Sequence, residues 1–320
     1  MQSAARLPVL AISSNFAKIF IITFNFNENR VNFKTNKIKD IRETYLLELN
    51  KIYTGNEAAS FLDHILEHRL GITRIQRALN PELRLSESDM LKVHFDVKEL
   101  KKFRPIQYIF GETVFFGLQL LVDEHVLIPR PETEELVLWI VGEHKNQGPL
   151  SILDIGTGSG CIALALKKEL PLATVQGCDV SADALKIAEK NAAANNLTVS
   201  FFLMDMLKPD EWTRQPQFDV IVSNPPYVTN AEKQLMQPNV LNYEPAGALF
   251  VSDEDPLVFY RSILHFAENQ IRPGGKIYFE INERFGDQMI RLLTDAGYQN
   301  VELRKDLSGK DRMISGLKPF

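Results

Sequence analysis

The sequence predicts an α/β protein: a mostly parallel sheet with helices on both faces, preceded by a small helical bundle and a β-hairpin. Three observations carry this. From residue 150 onward, short apolar runs alternate with amphipathic helical stretches, as strand–helix–strand units do. Between 38 and 103, apolar residues recur at helical spacing. Between these two segments, residues 112–122 (ETVFFGLQLLV) read as strand, glycine turn, strand. A chain of 320 residues suits about two domains. With 45% hydrophobic and 24% charged residues, it is not a wholly disordered chain. Two cysteines, Cys161 and Cys178, exclude a disulfide-stapled mini-protein and a cysteine metal cluster. They favour a reducing compartment, and the cytoplasm is expected.

Taken in order, residues 1–37 read as a poorly ordered leader. Residues 7–26 are apolar on average, but Ser13, Ser14, Asn15, Lys18 and Asn25 interrupt them, which suits neither a membrane span nor a signal peptide. Residues 38–105 are expected to form the bundle. Ile41, Tyr45, Leu49 and Ile52 share one helical face. Asn56 is the expected cap of a second helix with Ala59, Leu62, Ile65 and Leu66 inside and Gly71 at its end. Further helices are expected near Thr73–Leu79 and Glu87–Lys102. Residues 106–127 form the hairpin linker, and 128–320 the sheet domain. Pro131, followed by Glu132, Glu134 and Glu135, marks a helix start. Strands are expected at 150–155, 173–178, 199–204, 218–223 and 275–281, with helices at 161–170, 182–194, 256–270 and 285–296. Two final strands, 300–305 and 312–317, would make an antiparallel edge.

The net charge of −5 is unevenly spread. Residues 1–40 balance at +4 and 41–105 at +1, whereas 106–320 hold 19 basic against 29 acidic side chains, a balance of −10. An acidic main body disfavours a phosphate backbone as principal partner. No nucleic acid substrate and no membrane partner are expected.

The first strand of the sheet domain runs into Asp154-Ile155-Gly156-Thr157-Gly158-Ser159-Gly160. Glycines here let a ligand approach the backbone closely. A dinucleotide fingerprint, G-x-G-x-x-G, would need glycine where Cys161 stands. The G-x-G-x-G spacing behind Asp154 instead resembles the S-adenosylmethionine loop of Rossmann-like methyltransferases. Asp179, 19 residues after Gly160, ends the second strand, where a carboxylate can accept both ribose hydroxyls. Asp205 ends the third, at a position that often meets adenine in this fold class. The expected cofactor is S-adenosylmethionine, held by Asp154, Gly156, Thr157, Gly158, Gly160, Asp179, Asp205 and Asn224; no metal is expected.

The fourth strand ends in Asn224-Pro225-Pro226-Tyr227. An amide or exocyclic amine nitrogen is a poor nucleophile because its lone pair is delocalised. The Asn224 side-chain oxygen and the Pro225 carbonyl can each accept one N–H, fixing the NH2 group in line with the sulfonium methyl. Proline removes backbone donors, so the loop presents carbonyls. Tyr227 offers a face to a planar group. Asn224, Pro225 and Tyr227 are the expected catalytic residues.

Asn-Pro-Pro-Tyr resembles motifs of two classes, adenine amino methyltransferases and the glutamine methyltransferases of the HemK family. The surrounding residues resemble the second: Gln107–Gly111, Phe115-Phe116-Gly117, Ile128–Glu134, Tyr243-Glu244-Pro245, Asp306–Arg312 and the helical bundle. That resemblance spans about residues 38–320. It implies a helical substrate-binding domain, a hairpin linker and a Rossmann-like methyltransferase domain. The implied reaction moves a methyl from S-adenosylmethionine to the side-chain amide of the glutamine in the Gly-Gly-Gln motif of class 1 release factors, tuning translation termination. It also implies a substrate site of Asn224, Pro225, Pro226, Tyr227 and Glu244. Adenine methylation of DNA or RNA is the alternative.

Overall fold

The computed structural model describes residues 22–26, 29–212 and 216–320. The chain divides after Ile109 into two units. The first 21 positions of the expected leader lie outside the described residues. Its later part forms two antiparallel strands, β1 (Ile22–Phe26) and β2 (Asn29–Phe33), pairing Ile22 with Phe33. This departs from the expected leader. β1 is rich in aromatic and β-branched residues, which favour strand, and Phe33 of β2 is buried with its ring edge-on to Tyr45.

Four helices follow: α1 (Ile38–Leu49), α2 (Gly55–Leu70), α3 (Arg74–Leu79) and α4 (Glu87–Leu100). Ile41, Tyr45, Leu49, Leu62, Ile65 and Leu66 are buried as expected, but Ala58 takes the inner position assigned to Ala59. The cap of α2 is Thr54, whose hydroxyl accepts from Glu57 N–H, and Asn56 lies inside the helix. Gly71 ends α2 in the left-handed conformation. Arg69 grips the buried Asp96 carboxylate through two nitrogens, at 2.7 and 3.1 Å. The short α5 (Ile106–Phe110) crosses into the second unit.

The second unit opens with the hairpin β3 (Glu112–Phe115) and β4 (Leu118–Leu121), then α6 (Pro131–His144). Strand and helix then alternate: β5 (Ser151–Ile155), α7 (Cys161–Glu169), β6 (Thr174–Asp179), α8 (Ala182–Ala194), β7 (Ser200–Leu203) and β8 (Phe218–Ser223). Between β8 and the next sheet strand lie β9 (Val228–Thr229), α9 (Pro238–Tyr243), α10 (Ala246–Leu249), β10 (Phe250–Val251) and α11 (Val258–Gln270). The chain closes with β11 (Ile271–Glu280), α12 (Gly286–Asp295), β12 (Gln299–Lys305) and β13 (Asp311–Leu317).

The seven-stranded sheet has the order β12-β13-β11-β8-β5-β6-β7. β7, β6, β5, β8 and β11 run parallel, while β13 is antiparallel to β11 and β12. The expected α/β class holds, and the two final strands make the expected antiparallel edge, β13 pairing with β11 and β12 lying outermost. Strand order reverses on either side of β5, which leaves a crevice at the carboxyl ends of β5 and β8. Apolar cores cover both faces, one under α6 and α7, the other under α11 and α12.

A buried side chain fixes the hairpin to this body. Asn191 of α8 accepts from Leu121 N–H at 2.6 Å and donates to the carbonyls of Leu121 and Ser159 at 3.0 and 2.9 Å. Among the described residues, no helix is long and apolar enough to cross a membrane, and no cluster of His, Cys, Asp and Glu is arranged to hold a metal.

Candidate active site

The carboxyl ends of β5, β6, β7 and β8 open onto one cavity of about 250 Å³. Gly156, Thr157, Gly158, Asp179, Asp205, Asn224, Pro225 and Pro226 all line it. Four other expected positions, Asp154, Gly160, Tyr227 and Glu244, do not.

The glycine loop is held from behind. Gly156 N–H and Thr157 N–H both donate to the Cys178 carbonyl at the end of β6, at 2.9 and 3.0 Å. Gly158 N–H donates to Asp179 Oδ2 at 2.9 Å, and Asp179 Oδ1 accepts from Ser181 N–H at the same distance. Burial raises the Asp179 pKa against these two bonds. Gly158 has φ +53°, and a Cβ built on it would meet no atom within 4 Å. The loop therefore shows the cavity bare backbone. Asp205 follows β7, with Oδ1 accepting from Leu207 N–H at 2.9 Å.

Asp154 serves the fold instead of the cavity wall. It is fully buried, and its Oδ2 accepts from Thr157 Oγ1 at 2.6 Å and from Ala163 N–H at 3.2 Å. The carboxyl group so fastens the loop and caps the start of α7. Oδ1 has no hydrogen-bond partner among the described residues, and burial pushes the carboxyl up to about 7. Gly160 faces inward too. With φ +81° it is the N-cap of α7, and a Cβ there would lie 3.2–3.3 Å from Ala188, Leu164 and Phe201.

β8 is tied to β5 by Ser223 Oγ, which donates to the Ile155 carbonyl at 2.7 Å. This sets Asn224 beside the glycine loop. Asn224 Nδ2 donates to Thr133 Oγ1 at 3.3 Å, and Thr133 Oγ1 donates to Glu280 Oε2 at 2.6 Å. Tyr227 OH donates to the other oxygen, Oε1, at 3.1 Å. The Tyr227 ring packs against the core beneath α11, so the tyrosine supports the loop from behind instead of walling the cavity. Burial and the Glu280 charge push its hydroxyl pKa up. Glu280, at the end of β11, is 1% exposed, and burial raises its pKa.

Glu244 is a clamp. Its Oε1 meets Arg130 Nη2 at 2.6 Å and its Oε2 accepts from Ile128 N–H at 3.2 Å. Both oxygens are engaged and the side chain is 1% exposed, which leaves no free carboxylate for a channel. The segment it holds has two roles. Pro131, Glu132 and Glu134 start α6 as the sequence predicts, while Pro129, Arg130 and Thr133 line the cavity. Sequence reasoning missed Thr133 and Glu280 as a unit, since they are 147 positions apart.

Both units match known families. Residues 43–111 match the PrmC N-terminal domain and residues 140–249 the methyltransferase small domain. A release factor glutamine methyltransferase of Flavobacterium psychrophilum is 45% identical over 280 residues, covering 87% of this chain and 98% of that protein. One of Bacteroides thetaiotaomicron is 44% identical, covering 83% and 95%. One of Enterococcus faecalis is 35% identical, covering 81% and 95%. Identity at this level runs through both units and almost the whole length of these relatives, and on that ground the chain belongs to the release factor glutamine methyltransferase family.

Proposed function

We propose that this protein transfers a methyl group from S-adenosylmethionine to the side-chain amide nitrogen of the glutamine in the Gly-Gly-Gln motif of class 1 release factors, tuning translation termination. The observation that carries this reading is the Asn224 amide. It lines the same cavity as Gly156, Gly158 and Asp179, with its nitrogen turned to Thr133 and its oxygen left over as an acceptor.

The residues present fit S-adenosylmethionine. The bare backbone at Gly158 leaves room for a close approach, and Asp179 keeps lone pairs for ribose hydroxyls beyond the two it gives to N–H groups. Asp205 stands at the next strand end, where an exocyclic amine needs an acceptor. When bound, this cofactor supplies an electrophilic methyl carbon on a sulfonium.

The chain's own residues then position the acceptor. Asn224 Oδ1 and the Pro225 carbonyl each take one N–H of the glutamine amide. This holds its nitrogen in one orientation and favours the loss of planarity that attack requires. Pro225 and Pro226 present no N–H that could compete. Tyr227 and Glu280 hold the loop in place. Residues 38–105 serve as the substrate-binding domain, with 106–127 as the linker to a methyltransferase domain at 128–320. The −10 balance of residues 106–320 favours a protein substrate over nucleic acid. The free thiols Cys161 and Cys178 are compatible with the reducing cytoplasm.

The test is mass spectrometry of release factor peptides after incubation with the purified protein and S-adenosylmethionine. One added methyl on the Gly-Gly-Gln glutamine is expected, lost when that glutamine is replaced by alanine. Methyl transfer that persists after that replacement, or that appears only on nucleic acid, sinks the reading. Asn224→Ala should lower turnover about a hundredfold or more while cofactor affinity changes little, as removal of a transition-state hydrogen bond does.

A further inference from the structure

Building on the reading that Asn224 holds the acceptor amide, we infer that Thr133 and Glu280 are positioning residues that decide which end of the Asn224 amide faces the cavity. An asparagine amide accepts at Oδ1 and donates at Nδ2, and a half-turn of the group exchanges them. The substrate nitrogen brings only N–H donors, so the reaction needs Oδ1 outward.

Counting protons gives the orientation. Thr133 has one hydroxyl proton, and it points at Glu280 Oε2, 2.6 Å away. Tyr227 spends its own on Oε1. With Glu280 ionised, the form that hydrogen bonds from Thr133 and Tyr227 favour against its burial, the carboxylate only accepts and both hydroxyls donate to it. Thr133 Oγ1 then has nothing but lone pairs to offer Asn224. The atom that meets it, at 3.3 Å, must be Nδ2, and Oδ1 is left to the cavity. Turned over, the amide would set an oxygen lone pair against that of Thr133 and present two N–H groups to a substrate that also donates.

The burial of the set supports the assignment. Thr133 is 2% and Glu280 1% exposed, and the carboxyl oxygens find their partners in the two hydroxyls. Holding a carboxylate there is unfavourable for stability. The ion pairs of the neighbouring Arg312 go to Asp306 and Glu283, and Glu280 meets two neutral hydroxyls instead. Its two carboxyl oxygens are thus spent on the hydroxyls of Thr133 and Tyr227.

The test is steady-state methylation of a release factor by full-length Thr133→Val and Thr133→Ser, with cofactor affinity measured by calorimetry. Valine keeps the shape but has neither proton nor lone pair. We expect its kcat to fall more than about fivefold, roughly the weight of one net hydrogen bond, with KM for the release factor and the cofactor Kd close to wild type. Serine should restore most of the kcat. A smaller fall, a parallel loss of cofactor affinity in a folded protein, or a serine variant no better than valine overturns the inference. If Thr133→Val is unfolded by circular dichroism, Glu280→Gln carries the same criteria, because one amide cannot accept from both hydroxyls as the carboxylate does. A wild type that leaves the release factor unmethylated removes the parent reading and this one with it. A wild type that methylates, matched by its valine variant, removes this one alone.

Discussion

Arg130 and Glu244, 114 positions apart, meet at 2.6 Å and close the segment before α6 onto the segment after β8. Because Glu244 also takes Ile128 N–H, one buried carboxylate holds a cavity wall at two points. Glu244→Gln keeps one acceptor and discards the charge. The Arg130 side chain is 33% exposed, so the loss should fall between those of exposed and buried pairs, about 1–3 kcal/mol. Urea unfolding should show that drop, and calorimetry a weaker cofactor Kd, since Pro129, Arg130 and Pro245 line the cavity. Unchanged stability would mean the pair is not a clamp.

Two glycines of one loop should fail differently. At Gly158 an alanine meets strain from the left-handed backbone, about 1–2 kcal/mol, and projects its methyl into open space where the cofactor would approach. Gly158→Ala should therefore weaken S-adenosylmethionine binding about tenfold or more with a modest stability loss. At Gly160 the same backbone strain is joined by contacts of 3.2–3.3 Å with Ala188, Leu164 and Phe201. Gly160→Ala should be the less stable of the two. Paired melting curves and titrations decide it, and the reverse ranking would count against the assignment of the two faces.

Asn191 links the hairpin, α8 and the glycine loop with every polar atom used. Asn191→Ala strands the N–H and carbonyl of Leu121 and the carbonyl of Ser159. The cost should be about 2–3 kcal/mol, since a buried polar group left unmade costs more than the bond itself is worth. Asn191→Asp should do no better, because it places a carboxylate against two carbonyl oxygens. Thermal unfolding of both variants checks this.

What the sequence made legible was local. The glycine loop, Asp179 and Asn224 sit at fixed offsets from strand ends, and a strand end fixes where a side chain opens. Glu280 was invisible because its meaning depends on Thr133, on a different element and far away in the chain. Asn191 looked like one more polar residue on a helix, and only the hairpin beside it makes it structural. Asp154 belongs to the loop and Glu244 to the Tyr-Glu-Pro segment that carry the resemblance, which implies ligand contacts, but burial and nearby donors engage both inside the fold. The strands β9 and β10, of two residues each, carry no periodicity to detect. The Asn56 cap failed by two positions, as Thr54 offers the same hydrogen bond and helix ends are the least determined feature of a pattern.

Asp154 gives the pH dependence its sign. Burial raises its carboxyl to about 7, with the Thr157 and Ala163 bonds opposing and the Asp179 charge adding to the shift. An unfolded aspartate titrates near 3.9. The folded state therefore binds this proton more tightly, and the stability it contributes is complete below about pH 4 and lost as pH rises through about 7. Between pH 5 and 8 wild type should lose on the order of 2–3 kcal/mol from this group. Asp154→Asn cannot titrate, yet its carbonyl oxygen can still accept from Thr157 and Ala163. Asp179 and Glu280, also raised by burial, remain in both proteins, so the difference between the two curves reports Asp154 together with its coupling to Asp179. Urea midpoints across that range should fall more steeply for wild type than for the variant. Parallel curves would show that Asp154 keeps an ordinary carboxylate pKa despite its burial.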